Sequence, residues 1–501
     1  MSKKPGAEMI KYKSTKQLSI EEFRTPFYYG LDKNNRWARL ASMIPWDEFA
    51  NIYAKAMCED FGRPSLDARI VIGSLIIKHM KSLTDEETIE EIKENPYLQY
   101  FIGYEEFSHK APFDPSLFVA LRNRLGVESF EKLNQSFIAG ISKAEHSEEP
   151  VKRGDTDKGG SGGTPSGKPD KKGILIIDAS VAPQDIQFPT DIDLLNDVRE
   201  HTERIIDVLW EPGEGKRKPR TYRIKARKSY LSVVKKKTKS KKEIRKALRM
   251  QLNCIRRNIR IIKEMLKLEP FKPVGLSAKD LRIFMIAQEI YRQQKEMYDE
   301  KKHSVSDRII SVAQPYVRPI VRGKSKNKTE FGAKISASVV EGWVFLDHLS
   351  WDAFNESTDL PLQLELYKER FGYYPEKVYA DKIYGSRKNR NHLKELGIEF
   401  SGKALGRPPK LTKEESRELR KLRRIQEGIR NGIEGKFGEG KRKYDLGLVK
   451  AKTMSTSESW IVAVLFVMNL ARWERIRSLF SFFARLINFK KGWFFYPQIA
   501  F

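Results

Sequence analysis

GILIIDAS, residues 173–180, sets four consecutive apolar residues directly before an aspartate. A short unbroken apolar run of this kind suits a strand buried on both faces, with Asp178 at its carboxyl end. The sequence just upstream is of the opposite kind. EHSEEPVKRGDTDKGGSGGTPSGKPDKK, residues 145–172, is too rich in Gly, Ser, Pro and charge to supply a packed core. It reads as a flexible linker, so a second fold begins at 173 and residues 1–144 form a unit of their own.

That first unit reads as all-helical. Apolar residues recur at near-helical spacing from Leu66 to Met80, Thr84 and Glu87 have the spacing of a capping box, and Asp114-Pro115 is a natural helix entry before SLFVALRNRL. Beyond the 173 strand, the chain from Arg199 to about Asp307 turns helical and basic. Ile244, Leu248, Leu252, Ile255, Ile259, Ile262 and Leu266 recur every three or four residues, which leaves one apolar stripe on a surface otherwise crowded with Lys and Arg. Such a face suits a phosphate backbone, and equally a solvated helical hairpin.

Strand-like alternation returns at Phe331–Ser338 and again at Trp343–Leu349, joined across Glu341-Gly342 as a hairpin. A helix over Pro361–Phe371, a strand over Lys377–Asp381, a helix over Arg387–Leu396 and a short strand over Ile398–Ser401 follow. The order predicts an α/β fold: a mixed sheet with flanking helices over 173–475, interrupted by a basic helical insertion at about 199–310 and preceded by the all-α domain. Residues 476–501 make an aromatic and basic tail, better suited to packing on the preceding α/β unit than to docking on a partner.

Bulk properties narrow the partners. Lys and Arg number 94 against 66 for Asp and Glu, a formal net charge of +28, which calls for a polyanion. Nucleic acid is favoured over a membrane, because the longest strongly apolar run, Trp460–Leu470, is too short to span a bilayer and reads as a buried helix. The two cysteines, Cys58 and Cys254, lie too far apart in sequence to suggest a thiolate zinc site or a disulfide framework and suit a reducing cytoplasm. The N-terminus has no secretory apolar core, and the seven histidines lack ligand spacing, so any metal is expected on oxygen.

Asp178 and Asp381 occupy similar places, each after an apolar strand, where open sheets build sites, although a cap or turn would also place an aspartate there. The third element is RNGIEGKFGEGKRKY. Its Arg430, Glu434 and Lys441 fall on one helical face, while Gly432, Gly435, Gly438 and Gly440 each weaken a helix by roughly 1 kcal/mol. Close approach to another backbone would explain the glycines.

Together ILIIDASVAPQDIQFPTD, VYADKIYGSRKNR and RNGIEGKFGEGKRKYDLGL resemble the DDE transposases of bacterial insertion elements, in the insertion-sequence-four and -five superfamily. The last segment carries that group's spacing of Arg, three residues, Glu, six residues, Lys. RPSLDARIVIGSLIIKHMKSLTDEETIEEIKENPYLQYFIG resembles the helical N-terminal domain of such enzymes, and RPIVRGKSKNKTEFGAKIS agrees with the subgroup. One position departs: the signature Tyr before the Arg is Glu427 here.

The resemblance implies a ribonuclease-H-like catalytic domain in which Asp178, Asp381 and Glu434 hold two Mg²⁺ or Mn²⁺ ions, Asp178 bridging both. It implies water attack at the element end, then joining of the freed 3′ hydroxyl to target DNA. Arg430 and Lys441 would neutralise phosphate, with Arg322 and Lys324 as further DNA contacts. The implied partners are double-stranded DNA with terminal inverted repeats, read by the N-terminal domain, target DNA, and a second copy in a homodimeric synaptic complex. The implied setting is the bacterial cytoplasm, at the nucleoid. A metal-dependent nuclease on the same fold, and a catalytically silent or domesticated DNA-binding protein, are the competing readings.

Overall fold

The structure is a computed structural model that describes residues 22–24, 30–57, 65–147, 171–210, 217–268, 276–321, 329–402, 406 and 412–492. The expected linker lies almost wholly outside the described residues, as do Cys58, Arg322, Lys324 and the part of the tail beyond Gly492.

The N-terminal helices are α1 (Arg36–Met43), α2 (Trp46–Lys55), α3 (Ala68–Lys81), α4 (Asp85–Glu94), α5 (Pro96–Phe101) and α6 (Leu117–Ser147), the last broken at Gly126, where φ is 61°. Local chemistry sets their ends. Thr84 and Glu87 close the expected capping box on α4, and Asn95 caps α5 with Pro96 in its first turn. These helices do not keep a core to themselves. Phe49, Phe130 and Phe137 pack on Phe466 of α14 (Met454–Gly492), and one continuous buried cluster runs from them through α14 into the sheet.

Six strands form one mixed sheet: β1 (Ile174–Pro183), β2 (Arg318–Val321), β3 (Thr329–Val340), β4 (Trp343–Ser350), β5 (Lys377–Tyr379) and β6 (Glu399–Phe400). β3 pairs antiparallel with β1 on one edge and with β2 and β4 on the other, while β1–β5 and β5–β6 are parallel. The β3–β4 hairpin turns on Glu341 and Gly342, with φ of 51° and 83°, the left-handed pair that a tight hairpin demands. The sequence reading did not anticipate β2. It expected the first strand to be covered on both faces: Leu175 and Ile177 are fully buried, but Ile176 is half-buried and Ile174 exposed, because the cover thins toward the start of β1.

Between β1 and β2 the chain makes four helices, α7 (Asp191–Leu209), α8 (Arg223–Val234), α9 (Lys241–Leu268) and α10 (Ala278–Glu300), so the helical insertion starts before Arg199. Its helices pack mainly on one another. The stripe of α9 is buried at Leu252, Ile255, Ile259 and Ile262 against Leu195, Val198 and Ile206 of α7 and Ala287 and Ile290 of α10, a core distinct from that of the sheet. α11 (Leu360–Phe371), α12 (Arg387–Glu395) and α13 (Lys413–Lys443) complete the chain around β5 and β6.

α14 is the one helix among the described residues long and apolar enough to cross a membrane, over Met454–Leu479, yet 83% of its apolar window is buried inside the protein. Asn469, fully buried in it, bonds Asn134 at 2.8 Å and both the N–H and the carbonyl of Val344 at 3.0 and 2.8 Å. It ties α6, α14 and β4 together. A buried amide satisfied by named partners marks a core helix rather than a lipid-facing one.

Candidate active site

The sheet brings the two aspartates level with each other. β1 and β5 pair through Ile176 and Tyr379, and two residues beyond that couple, on each chain, stand Asp178 and Asp381. Only Asp381 lies past a strand end. β1 continues to Pro183 because β3 keeps pairing with it, Asp178 opposite Ala337, so Asp178 sits mid-strand where the parallel neighbour leaves. That correction to the expected strand end gives Asp178 a rigid seat.

Asp178 Oδ1 accepts the N–H of Ala179 at 2.8 Å, and Asp381 Oδ1 accepts that of Lys382 at 2.6 Å, capping a 3-10 turn over Lys382–Tyr384. Burial pushes the Asp178 carboxyl up to about 6. The Ala179 N–H pulls it down, Glu356 pushes it up, Arg430 pulls it down and Asp381 pushes it up. Burial is the largest of these causes, and the two carboxylates add to it.

α13 lies across this end of the sheet, packed on β1, β3 and β5. Thr412 and Glu415 cap it with a capping box, and Ile433, Phe437 and Gly440 form its buried edge. Arg430 and Glu434, one turn apart beside that edge, make an ion pair at 3.0 Å, with the Glu434 side chain 53% exposed. Arg430 reaches the field of Asp178. Lys441 lies in the last turn of α13, its carbonyl close against Gly447. The glycine expectation fails for most of the motif: a methyl at Gly432 or Gly435 would meet nothing within 4 Å and one at Gly438 only the Arg442 side chain. Gly440 alone is crowded, by Leu446 and Met468, which are side chains rather than backbone.

Sequence reasoning missed two residues facing Asp178, Glu356 and Tyr384, and a third, Asn389, that positions them. Glu356 sits in a 3-10 turn, Glu356–Thr358, held by Lys334 of β3 at 2.9 Å. Asn389 of α12 pins that turn to the next one, donating to the carbonyls of Ser357 at 2.7 Å and Tyr384 at 2.9 Å. Tyr384 is completely buried beside Ser336, and its hydroxyl makes no hydrogen bond of good geometry; burial, Glu356 and Asp178 all raise its pKa. The motif around Asp381 already contained Tyr384; nothing local in DAFNESTD singled out Glu356.

The donor chemistry fits a hard divalent cation: carboxylate oxygens only, with Asp178 destabilised by like charge that a cation would neutralise. Glu434 has to leave Arg430 to join. Among the described residues no three acidic, His or Cys side chains converge closely enough to hold an ion between them.

Two stretches of the chain match known family models. Residues 378–471, which include Asp381, Arg430, Glu434 and Lys441, match the model described as Transposase DDE domain, and residues 26–124 match that described as Transposase domain (DUF772). Both matches support a transposase of the DDE kind. Asp178 lies outside both matched stretches. A curated relative, "Uncharacterized protein ORF8 in nfe locus" from Rhizobium meliloti, is 31% identical over 153 residues, 30% of this chain and 64% of the relative, so the chain spans less than two thirds of that protein's length. No solved structure matches.

Proposed function

We propose that this transposase binds the ends of its element and cuts and joins DNA there, with Asp178, Asp381 and Glu434 as the carboxylates that hold Mg²⁺ or Mn²⁺. The observation that carries the proposal is Asp178: a half-buried carboxyl of raised proton affinity, level with Asp381 where β1 and β5 part, under a helix that presents Arg430 and Glu434. The strand order supports a ribonuclease-H-like reading of the sheet, four antiparallel strands, β1 to β4, continued through β1 by the two parallel strands β5 and β6.

Bound divalent ions would supply a nucleophile activated at neutral pH and charge stabilisation at the leaving oxygen. The chain does the rest. β1 fixes Asp178, Arg430 offers a planar two-donor contact to a phosphate, and Lys441 adds a point charge. Glu434, released by Arg430 when phosphate competes for the guanidinium, becomes available to the ions. Domain roles follow the same reading: helices before the linker read the inverted repeats, and residues from 173 carry the chemistry, two copies acting together on paired ends.

The test is cleavage and strand transfer on labelled DNA carrying the native element ends, with Mg²⁺ or Mn²⁺. Wild type cuts and joins, while Asp178→Ala, Asp381→Ala and Glu434→Ala bind DNA but do neither. Full activity in any variant removes that residue from the site. Cutting without joining selects the nuclease reading, and binding without cutting the silent one.

A further inference from the structure

We propose that the helical insertion carries its own DNA-backbone site, in the groove where the chain enters α8, separate from the carboxylates. The polyanion is identified as DNA on the transposase reading above. The site itself rests on the groove.

The groove holds about 690 Å³ and is lined by Lys218, Arg220, Tyr222, Ile224, Lys225 and Lys228, among others, with no acidic residue in its wall. Its cations divide into two kinds. Lys218 and Arg223 are both spent on Asp207, at 2.7 and 2.8 Å. Arg220, Lys225 and Lys228 have no carboxylate partner among the described residues; Lys225 and Lys228 are exposed and adjacent on one face of α8.

Between these cations stand two apolar side chains that gain nothing from exposure. Ile224 is 72% and Tyr222 52% exposed. Tyr222 adopts a left-handed backbone, φ 55°, rare for a bulky residue, and the Arg257 guanidinium of α9 stacks on its ring at 4.5 Å. That stacking holds the ring in place. Gln251 of α9 fixes the first turn of α8 by donating to the Ala226 carbonyl at 3.2 Å. Fixed aromatic and aliphatic surface interleaved with free cations matches a phosphodiester strand, with sugars or bases against Tyr222 and Ile224. Positive charge continues past the far end of α8, where Lys235, Lys237, Lys239, Lys241 and Lys242 are exposed. At about 1.5 Å per residue α8 is roughly 18 Å long, about five base-pair steps.

The experiment measures binding of the full chain to a labelled duplex of random sequence across a salt series, without divalent metal. Arg220→Gln/Lys225→Gln/Lys228→Gln is compared with Lys279→Gln/Arg282→Gln/Lys301→Gln, which removes the same charge from α10 and its C-cap in the same module. The groove variant is expected to lose about tenfold or more in affinity and to flatten the log–log salt slope by roughly 2 to 3, near 0.9 per phosphate contact. Tyr222→Ala is expected to weaken binding with the slope unchanged. Circular dichroism and thermal melting check that each variant folds as wild type does.

Equal slopes in wild type and groove variant, or equal losses in both triple variants, overturn the site. So does a groove variant that loses a matched RNA duplex while keeping DNA. Duplex and single-stranded probes tell which form of DNA backbone is gripped. A wild-type chain that binds through the groove but never cuts leaves this site standing and removes the catalytic reading instead.

Discussion

Among the charged side chains that this chain draws out of water, two groups are balanced in opposite ways. In the N-terminal helices Lys78 and Arg122, 2% and 5% exposed, converge on Asp85, with Lys78 at 2.9 Å and Arg122 in a two-pronged contact at 2.8 Å. Lys78 also donates to the Leu83 carbonyl at 2.7 Å, and both cations face the ring of Trp460. Burial by itself would raise the Asp85 carboxyl, but Arg122 and Lys78 hold it below its ordinary value. At the sheet, burial raises Asp178 and the neighbouring carboxylates Glu356 and Asp381 raise it further, with only Arg430 and a backbone N–H against them. A closed charge cluster is framework. An open one, deficient in positive charge, is the arrangement that the proposed cation would complete, and charge balance rather than burial tells them apart.

The largest expected effect breaks the closed cluster. Asp85→Ala leaves two buried cations uncompensated, a loss of about 3 to 5 kcal/mol, read as a lower midpoint in denaturant. The sign with pH follows from the depressed Asp85 pKa: its contribution is present above the unfolded carboxylate value and lost as pH falls through the folded one. Acidification should therefore narrow the gap between wild type and Asp85→Asn. A gap that widens in acid would place the stabilisation elsewhere.

The open cluster should answer with the other sign. Asp178 has its folded pKa raised to about 6 from 3.8, so between those values the native state holds more protons and stability falls as pH rises. Above pH 6 the loss is complete, at most about 3 kcal/mol, and nearer 1 to 2 once partial solvent screening is counted. Asp178→Asn should melt higher than wild type at pH 7.5 without metal and equally at pH 4. Millimolar Mg²⁺ should raise the melting point of wild type and leave Asp178→Asn unmoved. A lower melting point for Asp178→Asn at pH 7.5 would make the residue part of the framework.

A smaller effect isolates Glu356. Because its charge helps to raise Asp178, Glu356→Gln should make the fall of stability end at lower pH and shrink it, offset in part by loss of the Lys334 ion pair at 2.9 Å. The melting-point profile between pH 4 and 8 reads this directly, and a profile parallel to that of wild type would show that Glu356 acts only as a partner of Lys334.

How much of this the sequence made legible depended on whether the signal was local. The hairpin at Glu341-Gly342, the capping box at Thr84 and the apolar stripe of α9 each follow from residues within a turn or two of one another, and the structure has all three. Asp178 and Asp381 were legible as residues after strands, but their level placement needs the β1–β5 register, and the mid-strand position of Asp178 depends on how long β3 keeps pairing. Glu356 was invisible for the same reason: a turn beyond β4 brings it back to β1, and no local pattern encodes that return. The bond between Asn134 of α6 and Asn469 of α14 joins residues far apart in sequence, which is why a separate N-terminal core was expected and a shared one found.

The mildest prediction concerns the glycines of α13, and it separates folding from function on one helix. Gly435 has helical backbone and open space where a methyl would go, whereas Gly440 is pressed by Leu446 and Met468 at 3.0 Å. Gly435→Ala should stabilise the chain by about 1 kcal/mol through helix propensity, and Gly440→Ala should cost stability because both neighbours must shift. Nothing inside the protein requires Gly435 to lack a side chain, so any need for it must come from a surface that approaches α13 from outside. If Gly435→Ala melts higher yet cuts element ends more slowly, that surface is the DNA laid beside Arg430 and Glu434. If it melts higher and cuts as well as wild type, the glycine leaves the DNA-facing argument and the helix keeps only its charged face.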